Sequence, residues 1–119
     1  MRKIRGSTFK NEQKLQQACS LNALMLRLGR RWKLQVLYFI HRDHDTFGKL
    51  KLALSGISDQ ILALRLRELI NEGLVTKDCN NPNIAGNGIY QTTQKAEKLL
   101  VLMENLCEWE RFHGPAVSS

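Results

Sequence analysis

"LSGISDQILALRLREL", residues 54–69, decides the fold. Its "SGI" is a short glycine turn, and Ser58 with Asp59 behind it are residues that cap a helix start. From there Leu62, Leu66 and Leu69 follow the i, i+4, i+7 spacing of one helical face. Ahead of the turn, "DTFGKLKLAL" offers Asp45 or Thr46 as a cap and turns Phe47, Leu50 and Leu54 inward, leaving Lys49 and Lys51 outside. Two helices joined by a short turn containing Gly form a helix-turn-helix. One residue does not fit. At about 100° per residue Leu64 falls among Gln60, Arg67 and Asn71, on the side that should face water.

The flanks complete the pattern. Upstream, "CSLNALMLRLG" (19–29) sets Leu21, Leu24, Met25 and Leu28 on one stripe, with Gly29 suited to a left-handed cap. "RRWKLQVLYFIHR" (30–42) sets Trp32, Val36, Phe39 and Ile40 on another and is apolar enough for the centre of the fold. Downstream, Gly73 ends the helix that Ser58 opens. "LVTKD" and "IYQTT" are short β-prone runs separated by "CNNPNIAGNG", which describes a hairpin with a long tip. Thr93 can cap a last helix running through Leu99, Leu100, Met103, Leu106 and Trp109 to about Phe112. The order is a winged helix-turn-helix, mainly α with one small β-hairpin. We expect a flexible basic arm over 1–7, the domain with its terminal dimerisation helices over 8–113, and a frayed tail over 114–119.

The 119 residues suffice for one domain. Lys and Arg number 18 against 11 Asp and Glu, a net +7, and the excess is lopsided. Residues 1–51 carry 12 basic and 3 acidic side chains, whereas 52–119 carry 6 and 8. A basic first half implies an anionic partner, of which nucleic acid is the commonest. No apolar run follows the basic start, no stretch approaches a membrane span, and position 2 is Arg, so a cytoplasmic protein without membrane partner is expected. Cys19, Cys79 and Cys107 have no metal-type spacing and are expected as thiols. No nucleophile-base set, nucleotide loop or cofactor motif is present, so neither an enzyme nor a cofactor is expected.

The outward residues of 58–72 match what reads a DNA groove. Gln can read adenine, Arg can read guanine, and an apolar group can rest on a thymine methyl. Ser58, Gln60, Ala63, Leu64, Arg65 and Arg67 are therefore the candidate contacts from this helix. For Leu64 the choice lies between thymine methyls and a neighbouring protein segment. Lys49, Lys77 at the base of the wing, and Arg30 are candidate phosphate contacts. Arg31 and Lys33 belong to the same cluster as Arg30, which a solvated basic helix start explains equally well. Asn81, Asn83 and Asn87 can serve the wing as hydrogen-bonding groups, though Asn in a turn also answers to positive φ. Leu99, Leu102, Met103, Leu106, Trp109 and Phe112 cover more than one face of the last helix, more than a small domain can bury, and mark a dimer interface.

Two other features compete for attention. "HRDHD" (41–45) holds His and Asp in metal-like company, but a solvated loop is the preferred reading. Cys19 is placed at or just before a helix start in the basic half, where the backbone dipole favours thiolate. The alternative is a small half-buried hydrophobe. Cys107, on the stripe of Leu100 and Met103, is expected as inert packing.

"CSLNALMLRLGRRWKLQVLYFI", "TFGKLKLALSGISDQILALRLRELINEGLV", "IYQTT" and "LLVLMENLCEWERFH" together resemble the HxlR-type winged-helix transcription regulators of bacteria and archaea. The resemblance spans about residues 19–113. Its most specific pieces are Cys19, Gly29 with Trp32, and "GIS…L..RL.EL…GLV". It implies a homodimer, clasped by the N- and C-terminal helices, that binds inverted repeats in double-stranded DNA. It also permits oxidant or electrophile sensing by Cys19. The chain departs from the family pattern with Ser20 in place of Pro, with Asp59, Gln60, Ala63 and Leu64 in the reading helix, and with Asn87 where an Arg is common. Each departure removes charge or polarity from the DNA side. A protein-interaction module with little operator specificity is the alternative function.

Overall fold

The computed structural model describes residues 5–79 and 88–115, with side chains from residue 17 onward. In chain order it contains α1 (Arg5–Leu28), α2 (Lys33–His41), α3 (Phe47–Ala53), α4 (Asp59–Asn71), β1 (Val75–Asp78), β2 (Ile89–Thr92) and α5 (Gln94–His113). This is the winged helix-turn-helix order.

Thr46, Ser58 and Thr93 cap their helices as the sequence suggests. The Thr46 hydroxyl accepts from the Lys49 N–H at 3.2 Å, Ser58 from Ile61 at 3.1 Å and Thr93 from Ala96 at 3.2 Å. Gly56, at φ 93°, makes the turn between α3 and α4. The far end of α4 closes as a Schellman motif. Gly73, at φ 75°, donates to the Ile70 carbonyl, and Leu74 donates to that of Leu69.

The core lies between α2, α3, α4 and the hairpin. Val36, Leu37, Leu50, Leu62 and Leu69 have no exposed surface, and Leu54, Ile57, Leu66, Val75, Tyr90 and Leu100 close around them. α2 is central, as its apolar sequence requires. The hairpin is antiparallel with Val75 opposite Thr92 and Lys77 opposite Tyr90. Tyr90 also donates its N–H to the Asp45 carbonyl, so the α2–α3 loop lies along the outer edge of β2.

Three local expectations are corrected. First, α1 begins at Arg5, inside the arm expected for 1–7. Second, Gly29 is not left-handed. A Cβ there would stand 2.7 Å from the Met25 carbonyl oxygen, so glycine is needed for close approach. The left-handed residue of this bend is Trp32, at φ 75°, which is the N-cap of α2 and packs against the same core as Val36, Phe39 and Ile40. Third, the α1 stripe is not core: Leu21 and Met25 are half exposed, and only Leu24 and Leu28 near the helix end are partly covered. α1 leaves the body after its last turns. The chain's radius of gyration is accordingly 19.1 Å, against about 13–14 Å for a compact domain of this length.

Candidate nucleic-acid interface

α4 has three distinct sides besides its core stripe. Gln60, Leu64, Arg67 and Asn71 are all exposed and share the outward face. Leu64 retains 37% of its surface there. On one flank Ala63, Leu66, Arg67 and Ile70 meet Phe47, Lys77 and Tyr90 to form a shallow notch of about 350 Å³ between α4 and the wing. Lys77 holds its ammonium 5.5 Å from the centre of the Tyr90 ring, an attraction that keeps the cation over the notch. Lys49 is exposed and pairs with Asp45 at 3.2 Å, so part of its charge is balanced locally. Ser58 spends its oxygen on the cap, leaving the hydroxyl hydrogen to donate outward.

The opposite flank overturns the reading of Arg65. That side chain is buried, donating Nε–H to the Arg31 carbonyl at 2.7 Å and Nη1–H to both carboxylate oxygens of Glu68 at 3.1 and 3.2 Å. Its guanidinium is committed to protein, because α4 turns position 65 toward the α1–α2 bend and away from the face of Gln60 and Arg67. Lys33 is likewise removed from the phosphate cluster. It is fully buried and donates to Glu72 at 2.5 Å. Arg30 stays half exposed at the rim, its Nε 3.8 Å from Glu68, while Arg31 stacks 5.1 Å from the Trp32 ring centre. Sequence reading missed Glu68 and Glu72 altogether. The available signal was two carboxylates one helical turn apart, off the leucine stripe, beneath the basic run of residues 27–33.

Asn81, Asn83 and Asn87 lie outside the described residues. At the other end of the molecule, Leu102, Leu106, Trp109 and Phe112 are 58–71% exposed along α5, while Leu99 and Met103 pack partly on the chain's own core. Cys107 is exposed and lines a groove of about 640 Å³ between α2 and α5, so it is not inert packing within one chain. Cys19 is exposed too, but within α1, well away from its first turn. The helix-start argument for a thiolate there therefore falls. His41, His44, Asp43 and Asp45 do not converge. Among the described residues no group of three or more metal-ligating side chains is assembled.

An exposed polar and basic helix face bounded by a wing is the reading element of a winged helix-turn-helix. Residues 27–117 match the family described as HxlR-like helix-turn-helix. The chain belongs to that family. It is 34% identical over 83 residues to an HTH-type transcriptional regulator of Halalkalibacterium halodurans, which covers 69% of this chain and 73% of that one. Among solved structures it is similar to a MarR-family transcriptional regulator from Enterococcus faecalis, with TM-score 0.68, 26% identity and coverage of 80% and 86%. The reduced form of the regulator YodB from Bacillus subtilis shares the fold, with TM-score 0.69, 24% identity and coverage of 82% and 96%. The HxlR-like protein is thus a transcriptional regulator of winged helix-turn-helix type, and its relatives are regulators, not enzymes. No described helix is long and apolar enough to cross a membrane.

Proposed function

We propose that this HxlR-like protein is a homodimer that reads an inverted-repeat operator in double-stranded DNA. The observation that carries the reading is the outward face of α4, Gln60–Leu64–Arg67, with the wing cation Lys77 beside it. In the major groove Gln60 and Arg67 are the base-reading side chains, and Ala63 and Leu64 supply apolar contact. Ser58, Lys49, Lys77 and Arg30 hold phosphates, which set register without reading sequence. Arg65 is left out of this set. Dimerisation is supported by the exposed apolar residues of α5, joined by Leu21, Met25 and Leu26 of α1 at 50–68% exposure. A two-fold dimer matches a palindromic site whose half-sites lie about one or two helical turns apart.

Selection of bound fragments from genomic DNA, followed by footprinting, tests the reading. A few sites, each with two inverted half-sites and steeply salt-dependent affinity, are the expected result. Uniform weak binding to all fragments would leave the protein-interaction module standing instead. A redox input at Cys19 now rests on exposure of the thiol and on the family likeness. It predicts that Cys19→Ser abolishes any loss of DNA binding caused by diamide or quinone, and an unchanged response removes Cys19 from the reading.

A further inference from the structure

Four cations converge on two carboxylates at the bend between α1 and the body. Glu68 and Glu72 stand one turn apart on the flank of α4. Arg27, from the last turn of α1, has its Nε 3.9 Å from Glu72 Oε1. Arg30, in the bend, reaches Glu68 Oε2 at 3.8 Å. Lys33, the first residue of α2, donates to Glu72 Oε2 at 2.5 Å and stands 3.9 Å from Glu68 Oε1. Arg65 closes the set, bonding Glu68 and the Arg31 carbonyl together. α1, the bend, α2 and α4 therefore all meet through one charged cluster.

Stability alone is a poor reason for this cluster, since apolar side chains of similar volume do as well or better in buried sites. What charges supply is direction. Each hydrogen bond fixes where a chain segment must point, and the bend they surround is unusual. Trp32 is left-handed without being glycine, a conformation that persists only where its surroundings over-determine it. The buried Glu72 Oε1 has no hydrogen-bond partner, and Arg27 of α1 is its ion-pair neighbour, so the acceptor left open is the one aimed at the projecting helix.

We propose that Glu68 and Glu72 are positioning residues that fix the angle of α1 on α4, and with it the separation of the two reading helices in the dimer. This rests on the dimeric reading above. Leverage makes the angle matter. α1 has 24 residues and so spans about 36 Å. A swing of about 10° at the bend displaces its far end by about 6 Å. One base-pair step is only about 3.4 Å. A loosened bend therefore blurs half-site spacing by more than one step while leaving the base-reading face of α4 intact.

The test uses the full chain and a series of duplexes carrying two copies of the selected half-site, with the spacer changed one base pair at a time. Wild type is expected to prefer one spacing over its neighbours by about tenfold. Glu72→Gln and Arg27→Met are expected to reduce that preference to about threefold or less, with affinity for a single half-site unchanged within about twofold. Arg27→Lys restores the preference. Arg27 is half exposed at the end of α1, so Arg27→Met decides the matter even if Glu72→Gln fails to fold. Folded variants that keep the wild-type spacing profile overturn the proposal. A wild-type protein that is monomeric, or indifferent to spacing, overturns the dimeric reading itself, and does so before any variant is made.

Discussion

Lys33 Nζ donates to Glu72 Oε2 across 2.5 Å with the lysine wholly buried, so the first residue of α2 is anchored to the C-terminal cap of α4. Lys95, from the first turn of α5, donates to the Glu72 backbone carbonyl, which places three helices on one residue. Removing one member of a buried pair strands the other charge. Glu72→Leu is expected to lower unfolding free energy by about 3–5 kcal/mol. The double variant Lys33→Met with Glu72→Leu should recover most of that loss, because the buried lysine charge is removed with its partner and Arg27, which also loses Glu72, is half exposed to water. Urea denaturation at fixed protein concentration measures both. A double variant as unstable as the single would mean that shape, not charge, matters at this contact.

The fold was legible because its punctuation is local. Thr46, Ser58, Thr93, Gly56 and Gly73 each act within a few residues of their own position, and each is where the sequence pattern puts it. What the pattern hid was tertiary. Arg65 and Arg67 are two residues apart, about 200° around the axis, so the wheel already puts Arg67 with Leu64 and Arg65 about 60° from the leucine stripe. What no periodicity shows is the Arg31 carbonyl that, with Glu68, holds Arg65 inward. Lys33 was misread for the same reason: its partner lies 39 residues away. The stripe of Leu21 and Met25 was legible as apolar, but periodicity does not say whether a chain's own core or another surface covers it.

Arg65 and Arg67 can be separated by salt. Arg67→Ala and Lys77→Ala are each expected to weaken DNA binding and, where they touch phosphate, to reduce the slope of log K against log salt by about one. Arg65→Ala should leave that slope unchanged and instead destabilise the fold by about 1.5–3 kcal/mol through lost charge-assisted hydrogen bonds. Fluorescence anisotropy across a salt series, paired with thermal unfolding, reads both quantities. A reduced slope for Arg65→Ala would return that residue to the DNA interface.

The apolar face of α5 gives a test independent of DNA. Leu106 and Trp109 are 67% and 58% exposed, so Leu106→Glu or Trp109→Glu disturbs little of the chain's own core. Either change places a charge in the proposed interface, where a partner would have to desolvate it. Sedimentation should show wild type as a dimer at micromolar concentration and the variants as monomers with unchanged helix content by circular dichroism. Operator affinity should fall as well, since the two half-sites are then bound separately. Dimers that survive both substitutions would move the interface away from α5.

Leu64 tests the groove directly. With 37% of its surface exposed beside Gln60 and Arg67, it is placed to rest on a thymine methyl once α4 enters the major groove. Leu64→Ala should weaken binding by about 1–3 kcal/mol, and only for operators with an A·T pair at one position of each half-site. The salt slope should not change, because no phosphate contact is lost. Uracil in place of those thymines deletes the methyl alone, so wild type should then bind as weakly as the variant, and the variant should lose nothing further. That equality separates the thymine methyl from any general effect of the substitution on α4. If Leu64→Ala binds DNA normally but unfolds or dissociates more readily, the side chain serves a protein contact, and the outward face of α4 reads DNA through Gln60 and Arg67 without it.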